Sequence, residues 1–176
     1  GGVVNARAFE ALRQLAERLN AAVVTTLMGK SAFPEDHVLY MGMPGLHGVP
    51  AANLALCEAD AVLAIGAPLA ERVTGRTDLF AHQAKIIYVA IDPAEIGKNV
   101  GPHIPIVGDC KLVLEDILER LSQQENKAWQ ARLSELKSEN DYLAGRAKGD
   151  KLTSRYVVDT LNGLLPADAI LATDVG

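Results

Sequence analysis

Short apolar runs alternate with segments of helical periodicity along most of the chain, and this alternation limits the folds available to it. Four runs indicate strands: Ala21–Thr25, Ala61–Gly66, Lys85–Asp92 and Ile104–Gly108. Since their residues are apolar nearly throughout rather than at every second position, they are typical of parallel strands buried on both faces. The helical spacing between and after them, as in Cys110–Leu121, completes the pattern. We expect an α/β fold with a doubly wound, mostly parallel, Rossmann-like sheet and helices on both faces.

Changes in composition along the chain predict three parts. We expect the α/β domain at residues 1–123 and a polar helical linker at residues 124–149. Residues 150–176 carry a helical segment and the apolar run Ala169–Ala172, which indicate the first helix and strand of a further domain. The linker and this helix would form a C-terminal helical extension. Val3-Val4 indicates the tail of a strand at the other end, so we expect both ends to be interior positions of a longer protein.

The charge pattern and the cysteines exclude several classes of protein. The net charge is −5 and no cluster of Lys and Arg is dense enough to bind a phosphate backbone, so we expect no nucleic-acid partner. No apolar run approaches the roughly 18 residues of a membrane helix, and no signal peptide is visible. Cys57 and Cys110 have neither metal nor redox spacing. We therefore expect a cytoplasmic protein with reduced thiols, no membrane contact and no metal site of its own.

Small and turn-forming residues follow the predicted strands. They occur in Thr25–Lys30, Gly66–Pro68, Asp92-Pro93 and Gly108-Asp109. Carboxyl ends of parallel strands meet at one edge of an open sheet, where ligands bind, and small residues there let a flat or phosphorylated ligand approach the backbone. The sequence therefore predicts a nucleotide-like ligand at this edge.

Two side chains near this edge leave alternatives open. Arg72 could hold a phosphate bidentately, or it could form a surface ion pair with Glu71 or Asp78. His47, in a glycine-rich loop, could hydrogen-bond a ligand or only fasten its own backbone. No catalytic residue can be assigned, because the sequence has no G-x-G-x-x-G fingerprint, no phosphate-binding P-loop and no nucleophile motif.

Two long stretches are specific enough to indicate a family. VVTTLMGKSAFPEDHVLYMGMPGLHGVPAANLAL and AVLAIGAPLAERVTGRTDLFAHQAKIIYVAIDPAEIGKN, followed by IPIVGD, resemble the central domain of thiamine-diphosphate-dependent enzymes of the acetolactate synthase group. The resemblance runs from Gly1 to Leu121, and ILATDVG is similar to the opening strand of that family's diphosphate-binding domain. It implies a DHS-like fold of the Rossmann type for the first part of the chain.

The resemblance also implies an activity for the intact protein. Enzymes of this group have three α/β domains and act on pyruvate or another 2-keto acid, as transferases or lyases, in branched-chain amino acid biosynthesis. Their first and third domains hold thiamine diphosphate and Mg²⁺, so this chain is expected to bind neither and to be inactive alone. Its expected partners are those pyrimidine- and diphosphate-binding domains of the same protein, in a homodimer or homotetramer.

In acetolactate synthases the central domain carries FAD, and the resemblance implies cofactor contacts at the strand ends and in the glycine-rich loop. They are Gly1, Gly2, Thr26, Leu27, Met28, Gly45, Leu46, His47, Gly66, Ala67, Arg72, Val73, Ile91, Gly108 and Asp109. Three departures bear on the cofactor: Pro68 replaces an arginine that contacts the flavin nucleotide, Ala70 an aspartate, and Ala90 an acidic residue that meets the adenosine ribose. FAD, ADP and an empty cleft all stay open.

Three hypotheses for the function follow. The chain is the central domain of a 2-keto acid carboligase or decarboxylase; alternatively, it is a non-catalytic scaffold with an empty cleft. It could also be a flavin- or NAD-binding module of the electron-transfer flavoprotein or transhydrogenase type, which shares the architecture. GLHGVPAANLAL and the terminal TDVG favour the first hypothesis.

Overall fold

The computed structural model describes residues 1–140, 152–166 and 168–172, in two compact units, Gly1–Asn140 and Asp141–Gly176. The first unit contains α1 (Gly2–Asn5), α2 (Phe9–Leu19), β1 (Val23–Val24), β2 (Tyr40–Gly42), α3 (Pro50–Glu58), β3 (Ala61–Ile65), α4 (Glu71–Thr74), β4 (Lys85–Ala90), β5 (Ile104–Val107), α5 (Cys110–Arg120) and α6 (Lys127–Glu139). The second contains α7 (Ser154–Leu164). Within these described ranges, no helix has both the length and the hydropathy of a transmembrane span.

Every strand pairing in the described part of the chain is parallel. β3, β4 and β5 form a three-stranded sheet in chain order, with Ile65 opposite Val89 and Ala90 opposite Val107. β1 and β2 form a second parallel pair, with Val23 opposite Tyr40. Parallel neighbours require crossover connections, and α4 lies in the one between β3 and β4. The mostly parallel α/β class is thus confirmed.

Helices cover both faces of the sheet. Successive side chains of a strand point to opposite faces, so each strand contributes to the core on both sides. On β3, Leu63 and Ile65 pack against a buried cluster that includes Leu15 of α2 and Leu114 of α5. Val62 belongs to a cluster on the other face, to which α3 contributes Leu56. The layered core places the carboxyl ends of the strands at one open edge.

The helix α6 belongs to the first unit. Leu133 and Leu136 are almost fully buried, in a cluster with Met41 of β2 and the small residues Ala52 and Ala55 of α3. The compact unit therefore reaches Asn140, further than residue 123. The three-part domain division made from the sequence stays a prediction.

Some local predictions differ from the structure. Val3-Val4 lies in α1 rather than in a strand. The Gly2 N–H donates to the carbonyl of Gly66, just after β3, so this segment contacts the end of the sheet instead of pairing along a strand. Residues 169–172 have no regular structure, since no strand partner lies beside them among the described residues. The strand β2 was not expected.

Candidate functional site

The turns that follow the strands are joined by hydrogen bonds at the carboxyl edge. The Gly66 N–H, just after β3, donates to the carbonyl of Val89 in β4 at 2.8 Å, and the Gly108 N–H, just after β5, donates to the carbonyl of Ala90 at 3.0 Å. The Thr25 N–H, just after β1, donates to the carbonyl of Gly42 at 3.1 Å. The predicted strand ends thus lie side by side, as an open parallel sheet requires.

Gly2 and Gly66 bring two backbone segments into direct contact. A Cβ atom on Gly66 would lie 2.6 Å from the Gly2 Cα and 2.7 Å from the Cys110 Sγ, and Gly66 has φ +53°. Burial raises the pKa of the Cys110 thiol, and the nearby Asp109 carboxylate adds to this shift. The thiol is therefore protonated and uncharged where it lies against the two glycines.

A second close approach occurs in the glycine loop, which we define as residues 43–49. Gly45 has φ +96°, and a Cβ there would lie 2.2 Å from the Arg72 carbonyl oxygen. The Leu46 N–H donates to that oxygen at 3.0 Å, and the Asn53 amide bonds both polar backbone groups of Gly45. The loop is therefore fixed to α3 and α4, beside Val73.

Large apolar side chains are exposed at this edge. Leu27 is 69% exposed, Met28 77%, Leu46 78% and Ile91 71%. Exposed apolar residues that form a contiguous patch commonly mark an interaction surface. These four residues were all predicted as cofactor contacts.

The structure favours one of the two alternatives for Arg72. Asp78 accepts two hydrogen bonds from Arg76, at 2.6 and 3.1 Å, and Arg72 forms no ion pair with any residue of the ranges that the structure describes. Its guanidinium is exposed in α4 and available to an anion. His47 is exposed as well, and its ring forms no hydrogen bond within those same ranges.

Asp109 is already engaged in the fold. Its carboxylate caps α5, accepting from the N–H groups of Lys111 at 2.8 Å and Leu112 at 3.3 Å. A Cβ on the preceding Gly108 would lie 3.0 Å from a Val113 methyl group, so glycine also fits the packing there. A ligand contact by Asp109 would have to share the carboxylate with the helix cap.

The predicted contacts fall into two groups that the structure brings together. Gly1 lies against Met28, whose backbone carbonyl is 3.7 Å from a Cβ built on Gly1, while Thr26 and Leu27 belong to the same turn. With Gly2 and Gly66, followed by Ala67, they form the first group. The second group is the glycine loop with Arg72 and Val73. Ile91, Gly108 and Asp109 follow β4 and β5 at the same edge.

The three departures from the family pattern occupy distinct environments. Ala90 is only 6% exposed, and its carbonyl accepts a hydrogen bond from the Gly108 N–H. A carboxylate side chain at this position would therefore replace a buried methyl group. Pro68 is exposed, and Ala70 begins α4 without any side-chain cap. The next acidic residue, Asp92, accepts from the Ala94 N–H at 2.8 Å.

A cleft of about 310 Å³ opens behind the glycine loop. Its wall is mainly apolar, with Leu56 of α3, Val73 of α4 and the segment of Leu79 and Phe80. Gly45 and Leu46 of the glycine loop also line it.

Potential metal ligands are scattered over the part of the chain that the structure describes. No group of three or more His, Cys, Asp or Glu side chains that could hold a metal ion occurs among them. The His103 Nδ1 accepts from the Ile86 N–H, and His37 contacts both Glu17 and Phe33, so these two imidazoles are used by the fold.

The sequence did not point to Asn53 or Cys110 as contributors to the site. Asn53 forms hydrogen bonds with Gly45, which lies in the loop before its helix. The Cys110 Sγ lies against Gly2 and Gly66, which are distant from it in sequence. The available signal was the spacing of Gly45 and Asn53, which places an amide on the first turn of the helix after a glycine-rich loop.

Parallel strands with glycine turns after them place the chain in the open-sheet class of α/β domains, in which ligands commonly bind at the carboxyl edge. Residues 1–117 match the family described as thiamine pyrophosphate enzyme, central domain. The chain belongs to this family.

Similar proteins of known name are acetolactate synthases. The chain is 46% identical over 184 residues to a probable acetolactate synthase large subunit of Methanocaldococcus jannaschii, and 41% over 182 residues to an acetolactate synthase of Mycobacterium avium. It is 44% identical over 186 residues to an acetolactate synthase large subunit of Corynebacterium glutamicum. Each alignment covers 100% of this chain but only 31%, 29% and 29% of the respective relatives. The chain thus spans somewhat less than a third of their length.

Proposed function

We propose that this chain serves as the central domain of an acetolactate-synthase-like enzyme and that its carboxyl edge binds an adenine nucleotide, either FAD or ADP. The observation that carries the nucleotide proposal is Arg72, which is exposed beside a glycine loop with fixed backbone geometry and has no ion pair among residues 1–140, 152–166 and 168–172. Arginine presents a planar fork of donors that matches a phosphate. The exposed apolar residues Leu27, Met28, Leu46 and Ile91 offer a surface for flat rings.

The chain's own residues would bind and orient the nucleotide. Arg72 would hold a phosphate. The glycines at positions 2, 45 and 66 have no side chains, so a ligand could approach the backbone there. In the acetolactate synthase group that this sequence resembles, FAD takes no redox part in the main reaction. The role of this domain is therefore binding and positioning rather than chemistry.

The reaction belongs to the whole enzyme. Thiamine diphosphate with Mg²⁺ would supply the carbanion chemistry on a 2-keto acid, on domains outside this chain. Alone, the chain would be inactive, and its partners would be those domains in a homodimer or homotetramer. A cytoplasmic location fits this role.

A second candidate function is a non-catalytic scaffold with an empty cleft. It is favoured by the buried methyl group of Ala90, where the family often has an acid, and by the use of Asp109 as a helix cap. Loss of charge-assisted contacts costs about 1.5 to 3 kcal/mol each, enough to abolish binding if two or three are missing. The flavoprotein and transhydrogenase alternatives receive no support from the named relatives, which are acetolactate synthases.

Calorimetric titration of the 176-residue chain with FAD, with ADP, and with thiamine diphosphate plus Mg²⁺ tests these proposals. We expect heat from FAD or ADP and none from thiamine diphosphate. Arg72→Ala should weaken nucleotide binding by about tenfold, because a charged hydrogen bond to phosphate is lost. Arg76→Ala is the matched control, since Arg76 is occupied by Asp78. No heat from either nucleotide at millimolar concentration would favour the scaffold.

A further inference from the structure

Asn53 holds Gly45 with both ends of its side-chain amide. Its Oδ1 accepts from the Gly45 N–H at 2.7 Å, and its Nδ2 donates to the Gly45 carbonyl at 3.2 Å. The residue lies on the first turn of α3, whose start is fixed by Pro50. The helix α3 thus holds one residue of the glycine loop through two hydrogen bonds.

Gly45 is a residue that needs such a constraint. Glycine populates positive and negative φ about equally, so its φ of +96° is not set by its own sterics. Two further bonds, from the Gly48 N–H to the Gly45 carbonyl at 3.0 Å and from the Val49 N–H to the Met43 carbonyl at 2.8 Å, close the loop on itself. These bonds fold the loop, whereas the Asn53 bonds attach it to the helix.

The same loop is attached to α4 on its other side. The Leu46 N–H donates to the Arg72 carbonyl at 3.0 Å, and Gly45 approaches that carbonyl too closely for any side chain. Leu46 and Arg72, the exposed apolar and cationic groups of the ligand edge, are therefore neighbours. Their relative position depends on where Asn53 places Gly45.

We propose that Asn53 is a positioning residue for this site: its amide fixes the backbone of Gly45 and thereby sets Leu46 against Arg72 before any ligand arrives. Its effect on ligand affinity rests on the proposed nucleotide function, whereas its effect on the loop does not. A preorganised loop loses less conformational entropy on binding, so the affinity should depend on Asn53 although the residue itself need not touch the ligand.

Hydrogen exchange of backbone amides, followed by NMR, tests the effect on the loop. In Asn53→Ala, we expect the Gly45 and Leu46 N–H groups to exchange at least about tenfold faster than in the wild type, because both amide bonds are lost. The Gly66 N–H, bonded to Val89 within the sheet, serves as an internal reference and should be unchanged. Equal exchange of Gly45 and Leu46 in the two proteins would overturn the proposal.

A conservative variant separates the two bonds. In Asn53→Asp, the carboxylate still accepts from the Gly45 N–H but faces the Gly45 carbonyl without a proton to donate, so protection of Gly45 should lie between those of the wild type and Asn53→Ala. Asn162→Asp, on the exposed surface of α7, carries the same charge change and should match the wild type. Asp fills nearly the same volume as Asn, so a purely space-filling role predicts full protection of Gly45 in Asn53→Asp, and that result would contradict the role of the bond donated by Nδ2.

The effect on binding is measured by titrating the same variants with FAD and ADP. Asn53→Ala should bind about tenfold more weakly than the wild type, with its urea unfolding midpoint recorded to show that it stays folded. Affinity within twofold of the wild type would overturn the positioning role. If the wild type binds neither nucleotide, the proposed nucleotide function fails, and the exchange measurements still decide whether Asn53 fixes the loop.

Discussion

Position 66 requires glycine for two independent reasons at the scale of the single residue. Its φ of +53° is one that side-chain-bearing residues rarely adopt, and a Cβ would collide with the Gly2 backbone and with Cys110. A collision with backbone cannot be relieved by a rotamer change. The two reasons can be separated, because other glycines of the chain meet only one of the conditions or neither.

We expect Gly66→Ala to lower the free energy of unfolding by about 3 kcal/mol or more, from backbone strain together with overpacking. Gly97→Ala should cost about 1 kcal/mol, since Gly97 has φ +77° but its Cβ would meet only a Pro102 carbon at 3.9 Å. Gly101→Ala, with open space and no positive φ, should be neutral within about 0.5 kcal/mol. Urea unfolding followed by circular dichroism measures all three, and equal losses at positions 66 and 97 would contradict the collision.

Residue types near strand ends could be predicted from the sequence, but their partners could not. Gly66 and Gly45 stand out because glycine after a strand has a local meaning. The collision of Gly66 with Gly2 and Cys110, and the bonds of Asn53 to Gly45, depend on how distant segments meet. Such contacts arise from tertiary packing, which one sequence does not display.

At the scale of the element, periodic segments with clear limits were predictable. α3 begins at Pro50 and α5 follows the cap Asp109, so both helices had recognisable starts, and the apolar runs of β3 and β4 were long enough to be distinctive. β2 has only three residues and is identified by pairing with β1 rather than by any pattern of its own. In α6, Leu133 and Leu136 give a sparse apolar stripe in a polar segment, although both are buried.

An ion-pair network joins α6 to α3. Arg132 donates two hydrogen bonds to Glu58, both at 2.8 Å, and one to Glu135 at 3.0 Å. These bonds lower the pKa of the Glu58 carboxyl below its ordinary value of 4.5. A carboxyl whose pKa is lowered by folding adds stability above its unfolded pKa and loses it as the pH falls through its folded pKa. The pair should therefore stabilise the fold at neutral pH, and this stabilisation should be lost as the pH falls from about 4.5 through the lower pKa of the folded carboxyl.

We expect Arg132→Gln to lower the urea unfolding midpoint modestly at pH 7, because the pair is partly exposed. The gap to the wild type should narrow as the pH falls below about 4.5, the ordinary pKa of the carboxyl, and close as the pH passes through the lowered pKa of Glu58 in the fold. The matched control is Arg120→Gln, which breaks an exposed pair with Asp116 inside α5 and should have a smaller effect at pH 7. A gap that stays constant from pH 7 to pH 3 would contradict the role assigned to Glu58.

At the scale of the whole molecule, family and fold class could be predicted, and the division into domains stays a prediction. The family matches residues 1–117, and the sequence suggested an end near residue 123. The structure continues the compact unit to Asn140, since α6 covers part of α3 and β2. Residues beyond the region that the family model matches can thus pack on the core without carrying a visible motif.

Truncated variants test where the first compact unit ends. The buried clusters of the first unit are built from residues before 141, so residues 1–140 should keep the urea unfolding midpoint and the nucleotide affinity of the full chain. Residues 1–123 lack Leu133 and Leu136, whose burial contributes about 1.5 to 3 kcal/mol each, and leave Met41 and Ala52 uncovered. This shorter piece should lose about 4 kcal/mol of unfolding free energy, measured by circular dichroism because Trp129 is removed. Equal stability of the two pieces would instead place the boundary at residue 123 and make α6 a linker.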